Sequence, residues 1–178
     1  MKVQVKKKIE AATDICAFEL ADPAGAPLPA FSAGAHIDVH VGNGLTRQYS
    51  LCNNPEDRHR YVIGVLRDPN SRGGSIAMHE VAEGAILEVS EPKNHFPLHA
   101  EAKHSVLLAG GIGITPILCM AERLAHVGGS FELHYCTRSP DRTAFRDRFE
   151  QPDIQPHARL YFDSTPEQGR LDLAATLA

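Results

Sequence analysis

The sequence predicts a β + α/β protein, in which a six-stranded antiparallel barrel is followed by a parallel sheet with helices. Two observations support this class. Residues 1–92 contain short runs with alternating or β-branched residues, and turn signals separate these runs. From about residue 102, apolar strand-like runs alternate with helical runs, as in a β-α-β-α-β series. A composition of 43% hydrophobic and 22% charged residues is typical of a globular protein and fits both halves.

The first half contains six predicted strands. In chain order they are MKVQVKKKIEA, ICAFELA, HIDVHV, LTRQYSLC, YVIGVLRD and AILEVSEP. Turn signals rich in Asp, Asn, Pro and Gly fall at residues 22–25, 42–44, 53–57 and 68–70. Six short strands at this spacing favour a small antiparallel barrel. SIAMHEV, which follows Arg-Gly-Gly, is helical in character and interrupts the series.

The second half starts with SVLLA, a nearly continuous apolar run that suits a parallel strand covered on both faces. It continues with the helix PILCMAERLAH, the strand FELHYCTR, the helix TAFRDRFE, the strand ARLYFDS and the helix LDLAATLA. We therefore expect a domain at residues 1–100, a second at 101–178 and a linker near 92–103. Since doubly wound sheets usually have more than three strands, we expect the second domain to be incomplete and its exposed edge to favour self-association.

Charge and residue spacing exclude several function classes. The net charge of -4 argues against a nucleic-acid partner. No apolar run is long enough for a membrane span, and the N-terminus lacks the apolar core of a signal peptide, so we expect a cytoplasmic protein. There is no C-x-x-C motif, and His36 and His40 would lie about 13 Å apart along a strand. We therefore expect no metal ligands.

GGIGITP, which covers residues 110–116, is the first candidate anion site. Its glycines allow a sharp turn, and Thr115 is predicted to cap a helix that starts at Pro116. Exposed N–H groups at such a helix start attract phosphate. The alternative is a tight turn before a well-capped helix, with no ligand. The pattern departs from the dinucleotide fingerprint, since Pro116 replaces the third glycine and Arg138 stands where an acidic residue is usual.

Arg72-Gly73-Gly74-Ser75 is the second candidate, with a guanidinium and a hydroxyl beside two flexible glycines. A loop with a solvated arginine is the alternative.

Arg47-Gln48-Tyr49-Ser50 is the third candidate. In a strand, Arg47 and Tyr49 share one face, and Gln48 and Ser50 share the other. An aromatic ring beside an arginine suits a flat ligand that carries phosphate, although a packed tyrosine under an arginine stem explains the pattern equally well.

Together these segments resemble the ferredoxin–NADP reductase superfamily, and within it the group of phthalate dioxygenase reductase and vanillate demethylase reductase. The matching segments run in family order and cover nearly the whole chain: RQYSLCN, YVIGVLRD, SRGGSIAMHE, NHFPL, LLAGGIGITPILCMAERL, HYCTR and TAFRD. The resemblance implies a flavin enzyme that moves hydride from NADH or NADPH to FMN, with FAD less expected. Single electrons then pass to the iron–sulfur centre of an aromatic-ring oxygenase or demethylase system.

The resemblance also implies roles for particular residues. Tyr49 would pack on the isoalloxazine, Arg47 would reach the phosphate, and Ser50 and Thr115 would lie at the reacting rings as catalytic residues. The implied cofactor-binding residues are Arg47, Gln48, Tyr49, Ser50, Val65, Leu66, Arg67, Arg72, Gly73, Gly74, Ser75, Gly110, Gly111, Ile112, Gly113, Thr115, Pro116, Cys136, Thr137 and Arg138.

Two family features are absent from the sequence. It has no Cys-Gly-Pro motif on a later strand and no C-x4-C-x2-C…C ferredoxin pattern. We therefore expect a flavin domain with an incomplete nucleotide domain, and a 2Fe–2S centre only in a full-length protein. Two alternatives stay open: an FAD-dependent ferredoxin or flavodoxin reductase, and a non-catalytic flavin-binding electron-transfer module.

Overall fold

A computed structural model describes residues 1–42, 44–99, 101–165 and 170–177. Its first half is a six-stranded antiparallel sheet with the strand order β4-β3-β6-β1-β2-β5. One helix, α1 (Gly74–Glu80), lies in sequence between the fifth and sixth strands of this sheet. The strands are β1 (Lys2–Ala12), β2 (Ile15–Ala21), β3 (His36–His40), β4 (Thr46–Ser50), β5 (Tyr61–Leu66) and β6 (Ile86–Val89).

The sheet closes into the predicted barrel where its two end strands meet. Leu51, just after β4, forms an isolated bridge with Ile63 of β5, and the Cys52 N–H donates to the Val62 carbonyl at 2.8 Å. Alternate side chains of the strands fill the barrel interior, as in β3, where Ile37 and Val39 are fully buried between more exposed neighbours. The barrel core is thus made from alternate strand positions, as predicted.

The second half is a three-stranded parallel sheet with the order β7-β8-β9, in agreement with the β-α-β-α-β prediction. Its strands are β7 (Ser105–Gly110), β8 (Phe131–Thr137) and β9 (Ala158–Phe162), and its helices are α2 (Ile114–Val127) and α3 (Arg146–Phe149). A short helix, α4 (Leu173–Thr176), forms within the predicted 171–178 helix and is shorter than predicted; Ala178 lies outside the described residues. No described helix combines the length and apolar character that crossing a membrane requires.

Two predicted helix starts are wrong. Residues Gly111–Gly113 form a 3₁₀ turn, so α2 begins at Ile114 and Gly113 is its N-cap. Thr115 is therefore inside the helix, where its hydroxyl donates back to the Ile112 carbonyl at 3.1 Å. The helix predicted at 143–150 is reduced to α3, because Phe145 adopts a left-handed backbone with φ of 60°.

The two halves share one hydrophobic core. Ile15, Cys52 and Val62 of the barrel half pack in the same buried cluster as Leu118 and Phe145 of the other half. Burial raises the pKa of the Cys52 thiol to about 11. The halves are thus packed directly against each other, and their contact forms the groove described next.

Candidate functional site

Two adjoining clefts lie in the groove between the halves. The first, which we call the barrel cleft, has a volume of about 510 Å³. It is lined by β4, β5, the loop before α1 and the start of α2. The second, which we call the sheet-end cleft, measures about 830 Å³ and lies at the carboxyl ends of the three parallel strands. Leu66, Asp68 and Ile112 line both clefts, so the two open onto a common wall.

β4 presents its four predicted residues to the barrel cleft with the predicted alternation. Tyr49 pairs with Ile37 in the register between β3 and β4, and Gln48 pairs with Asp38. The Gln48 side chain donates to the Asp38 carboxylate at 3.0 Å on the outer side of the barrel. Partial burial raises the pKa of the Tyr49 hydroxyl, and the nearby Arg47 offsets part of this effect. The Tyr49 hydroxyl therefore stays protonated at neutral pH.

Arg47 lies across the loop that precedes α1. A Cβ added to Gly74 would stand 2.4 Å from the Arg47 Nε, so a side chain at this position would force the arginine to move. The Arg47 guanidinium donates to the carbonyls of Thr46, at 2.8 Å, and Arg72, at 3.4 Å. The Arg72 side chain is exposed and makes no hydrogen bond within the described chain. Two candidate anion sites that the sequence places 25 residues apart thus form one positively charged corner.

Thr115 reaches the floor of the barrel cleft from the opposite side. Its methyl group would be 2.8 Å from a Cβ at Gly64 in β5, and its side chain is only 5% exposed. Gly64 was missed in the sequence-based prediction of the site. Its signal was a glycine inside the apolar strand YVIGVL, since such a glycine often marks a close approach of another group.

The sheet-end cleft collects the residues that follow the parallel strands. Gly110 ends β7 and Gly111 follows it, while Cys136, Thr137 and Arg138 lie at the end of β8. Open α/β sheets bind ligands in this crevice, outside the carboxyl ends of their strands.

Four charged residues of this cleft, Asp14, Asp68, Arg142 and Asp163, were also missed. Asp163 follows β9 and donates its backbone N–H to the Thr137 carbonyl at 3.0 Å. Arg142 pairs with Asp14 of the barrel half at 3.2 Å. The acid at the end of ARLYFDS was visible in the sequence, whereas the pair between Asp14 and Arg142 joins residues 128 positions apart and left no local signal.

The structure brings together most of the predicted site residues, and a few lie elsewhere. Val65 is fully buried in the barrel core, so its side chain faces neither cleft. Gly73 and Gly74 lie in the segment beneath Arg47 and do not line the barrel cleft. Arg67 lines the sheet-end cleft, on the other side of the common wall from Arg47. The remaining predicted residues line one cleft or both.

Comparisons with known proteins agree on the group to which the chain is similar. No family model matches it. Vanillate O-demethylase oxidoreductase of Pseudomonas putida is 55% identical over 175 residues, which are 98% of this chain and 55% of that protein. Phthalate dioxygenase reductase of Burkholderia cepacia is 50% identical over 165 residues, which are 92% of this chain and 51% of that protein. A solved structure of phthalate dioxygenase reductase superposes with a TM-score of 0.93 at 46% identity and covers 98% of this chain and 55% of that one.

The barrel, the parallel sheet and their paired clefts define a ferredoxin reductase-like fold. Vanillate O-demethylase oxidoreductase and phthalate dioxygenase reductase are thus close homologues of this chain. It spans about half the length of the relatives it matches.

Proposed function

We propose that this chain is the flavin- and nucleotide-binding part of a reductase component in an aromatic-ring oxygenase or demethylase system. Residues 1–100 would bind FMN in the barrel cleft, and residues 101–178 would bind NADH or NADPH in the sheet-end cleft. The observation that carries the proposal is that Leu66, Asp68 and Ile112 line both clefts. Because the two clefts adjoin along these residues, a ring in one cleft could lie next to a ring in the other.

The residues of the barrel cleft fit a flavin mononucleotide. Arg47 and the exposed Arg72 both line this cleft, and two positively charged side chains suit the doubly charged phosphate monoester that ends FMN. Tyr49 offers a half-buried aromatic face for a flat ring system. FMN is therefore favoured over FAD, whose phosphates are internal diesters.

The proposed chemistry assigns holding and orienting tasks to the chain's own residues. When bound, the flavin supplies the ability to accept a hydride from a reduced nicotinamide and to release electrons singly. Ser50 of the barrel half and Thr115 of the other half both line the barrel cleft, and these two walls would keep water from a bound flavin ring. The buried pair of Thr115 and Gly64 fixes the spacing of those walls.

The glycine turn and the β8 end fit a pyridine nucleotide. The backbone at Gly110 and Gly111 is open to the cleft, since a Cβ at either position would meet nothing within 4 Å. Arg138 supplies positive charge to this cleft, whereas the charge of Arg142 is matched by Asp14. Comparing the rates of flavin reduction by NADH and NADPH decides which nucleotide is used.

For the whole protein, we propose an iron–sulfur acceptor and an oxygenase partner. The solved relative is described as a modular structure for electron transfer from pyridine nucleotides to a 2Fe–2S centre. We also propose self-association through the edge strand β7, where Val106 and Leu108 are only half-buried. Sedimentation of a monomer at high concentration would reject that contact.

Cofactor identification tests the assignment directly. The purified chain is reconstituted with an equal mixture of FMN and FAD, and the retained flavin is released and identified by chromatography. Retention of FMN is expected. Exclusive retention of FAD would support an FAD-dependent ferredoxin reductase instead, and failure to retain either flavin would reject the proposal. A flavin that is retained and stays oxidised with excess NADH would indicate a binding module.

A further inference from the structure

Phe145 has the least favourable backbone conformation among the side chains at the groove. Only two non-glycine residues in the described part of the chain have positive φ, Asp14 at 64° and Phe145 at 60°. Aspartate tolerates this region, whereas for a bulky residue it is an outlier that the surrounding structure must hold in place. Both residues lie where the two halves meet. The packing between the two halves therefore holds Phe145 in this unfavourable conformation.

The left-handed backbone places the Phe145 ring against β5. A Cβ at Gly64 would be 3.2 Å from the Phe145 Cζ and 2.8 Å from the Thr115 methyl. The ring and the methyl group thus converge on one point of the barrel strand, directly under the barrel cleft. Phe145 is only 7% exposed, so solvent does not fill this contact.

Contacts on both sides hold the ring in place. The Arg148 guanidinium carbon lies 5.5 Å from the Phe145 ring centroid. Arg148 in turn donates to the Glu122 carboxylate at 2.7 Å and to the Cys52 carbonyl of the barrel half. The backbone before the ring is also fixed, since the Ala144 N–H donates to the Tyr135 hydroxyl at 3.3 Å. The ring is thus clamped to both halves of the molecule.

The same loop starts in the sheet-end cleft. Thr137, which lines that cleft, hydrogen-bonds through its hydroxyl to the Thr143 hydroxyl at 2.9 Å, two residues before Phe145. Asp141 accepts a hydrogen bond from the Thr13 hydroxyl at 3.0 Å. Residues 137–148 therefore connect the sheet-end cleft, the barrel half and the contact of Phe145 and Thr115 at Gly64.

We propose that Phe145 is a positioning residue whose ring sets how closely Thr115 and the start of α2 approach the barrel floor. The inference rests on the function proposed above, because that spacing becomes the separation of nicotinamide and flavin. A smaller side chain lets the walls shift by a fraction of an ångström. Misplacement of reacting atoms by about 1 Å can slow a reaction about a hundredfold.

Single-turnover reduction of the FMN-loaded chain by NADH, mixed anaerobically, tests the role of Phe145. For Phe145→Leu we expect the reduction rate to fall about tenfold or more. The long-wavelength charge-transfer absorbance between nucleotide and flavin should weaken, while the FMN dissociation constant stays within about twofold of wild type. Phe145→Asn should show the same slow reduction, since asparagine accepts positive φ but lacks the ring.

Phe149→Leu is the matched control. Its ring is equally buried and stacks on Tyr135 at 5.4 Å, whereas the three atoms nearest to a Cβ at Gly64 belong to Thr115 and Phe145. It should lower the melting temperature without changing the reduction rate. Wild-type rates and charge-transfer absorbance in Phe145→Leu would overturn the inference, as would equal rate losses in Phe145→Leu and Phe149→Leu. If wild type retains no FMN or is not reduced, the proposed function fails instead.

Discussion

At the scale of single residues, two glycines give the barrel cleft its shape. Gly74 leaves room for the Arg47 stem, and Gly64 leaves room for the Thr115 methyl and the Phe145 ring. By contrast, a Cβ at Gly113 would meet nothing within 4 Å. The cleft thus depends on missing side chains at particular points of the barrel, and the requirement is steric at both.

Replacing Arg47 tests the phosphate corner. Arg47→Met should weaken FMN binding by about 1.5–3 kcal/mol, which corresponds to about a ten- to hundredfold higher dissociation constant, because a charge-assisted hydrogen bond is lost. Fluorescence titration of FMN measures the change. Arg123→Met is the control, since Arg123 pairs with Glu56 at 2.5 Å, away from the clefts. Unchanged affinity in Arg47→Met would contradict the assignment.

Filling the space at Gly64 tests the close contact between the halves. Gly64→Ala should destabilise the protein by about 1–3 kcal/mol, because the added methyl overlaps Thr115 and Phe145. Urea unfolding measures this, with Gly113→Ala as a variant in which the new methyl meets nothing. Combining Gly64→Ala with Thr115→Ser, which removes the nearest methyl, should recover part of the loss. Additive losses in the double variant would argue against the contact.

At the scale of elements, the periodicity of apolar residues in the sequence predicted the strands and their type. Alternation in β3 and the apolar run of β7 identified strands of the correct kind. The 3₁₀ turn before α2 was not predicted, because the capping preferences of Thr115 and Pro116 fit a later start equally well. The shortening of α3 depends on Phe145 packing against β5, a contact that joins distant parts of the chain. Short-range signals carry no information about such contacts.

Helix α3 is fixed to α2 and the barrel by a largely buried ion pair. Arg148 and Glu122 lie 2.6 Å apart with side chains 18% and 20% exposed, and burial raises the pKa of the Glu122 carboxyl although Arg148 offsets part of this. Glu122→Ala should cost about 3–5 kcal/mol, because Arg148 keeps a buried charge without its partner. Glu56→Ala, which breaks an exposed pair with Arg123, should cost at most about 1 kcal/mol in the same urea titration. Equal costs would contradict the structural role of the buried pair.

At the scale of the whole molecule, the site exists only where the halves meet. The barrel contributes Arg47, Tyr49 and Gly64, and the parallel-sheet half contributes the glycine turn and Thr115. The order of motifs along the sequence indicated both ligand classes. Their arrangement as two clefts with a common wall depends on how the halves pack, so it became visible only in three dimensions.

The nicotinamide and the flavin are proposed to meet where the two clefts adjoin, along Leu66, Asp68 and Ile112. The direct test mixes the FMN-loaded chain anaerobically with NADH, and with NADH deuterated at the transferred position, and follows the visible flavin absorbance. We expect rapid bleaching that is slower with the deuterated nucleotide, since the hydride would pass between adjoining clefts. A flavin spectrum that stays oxidised in excess NADH would contradict it.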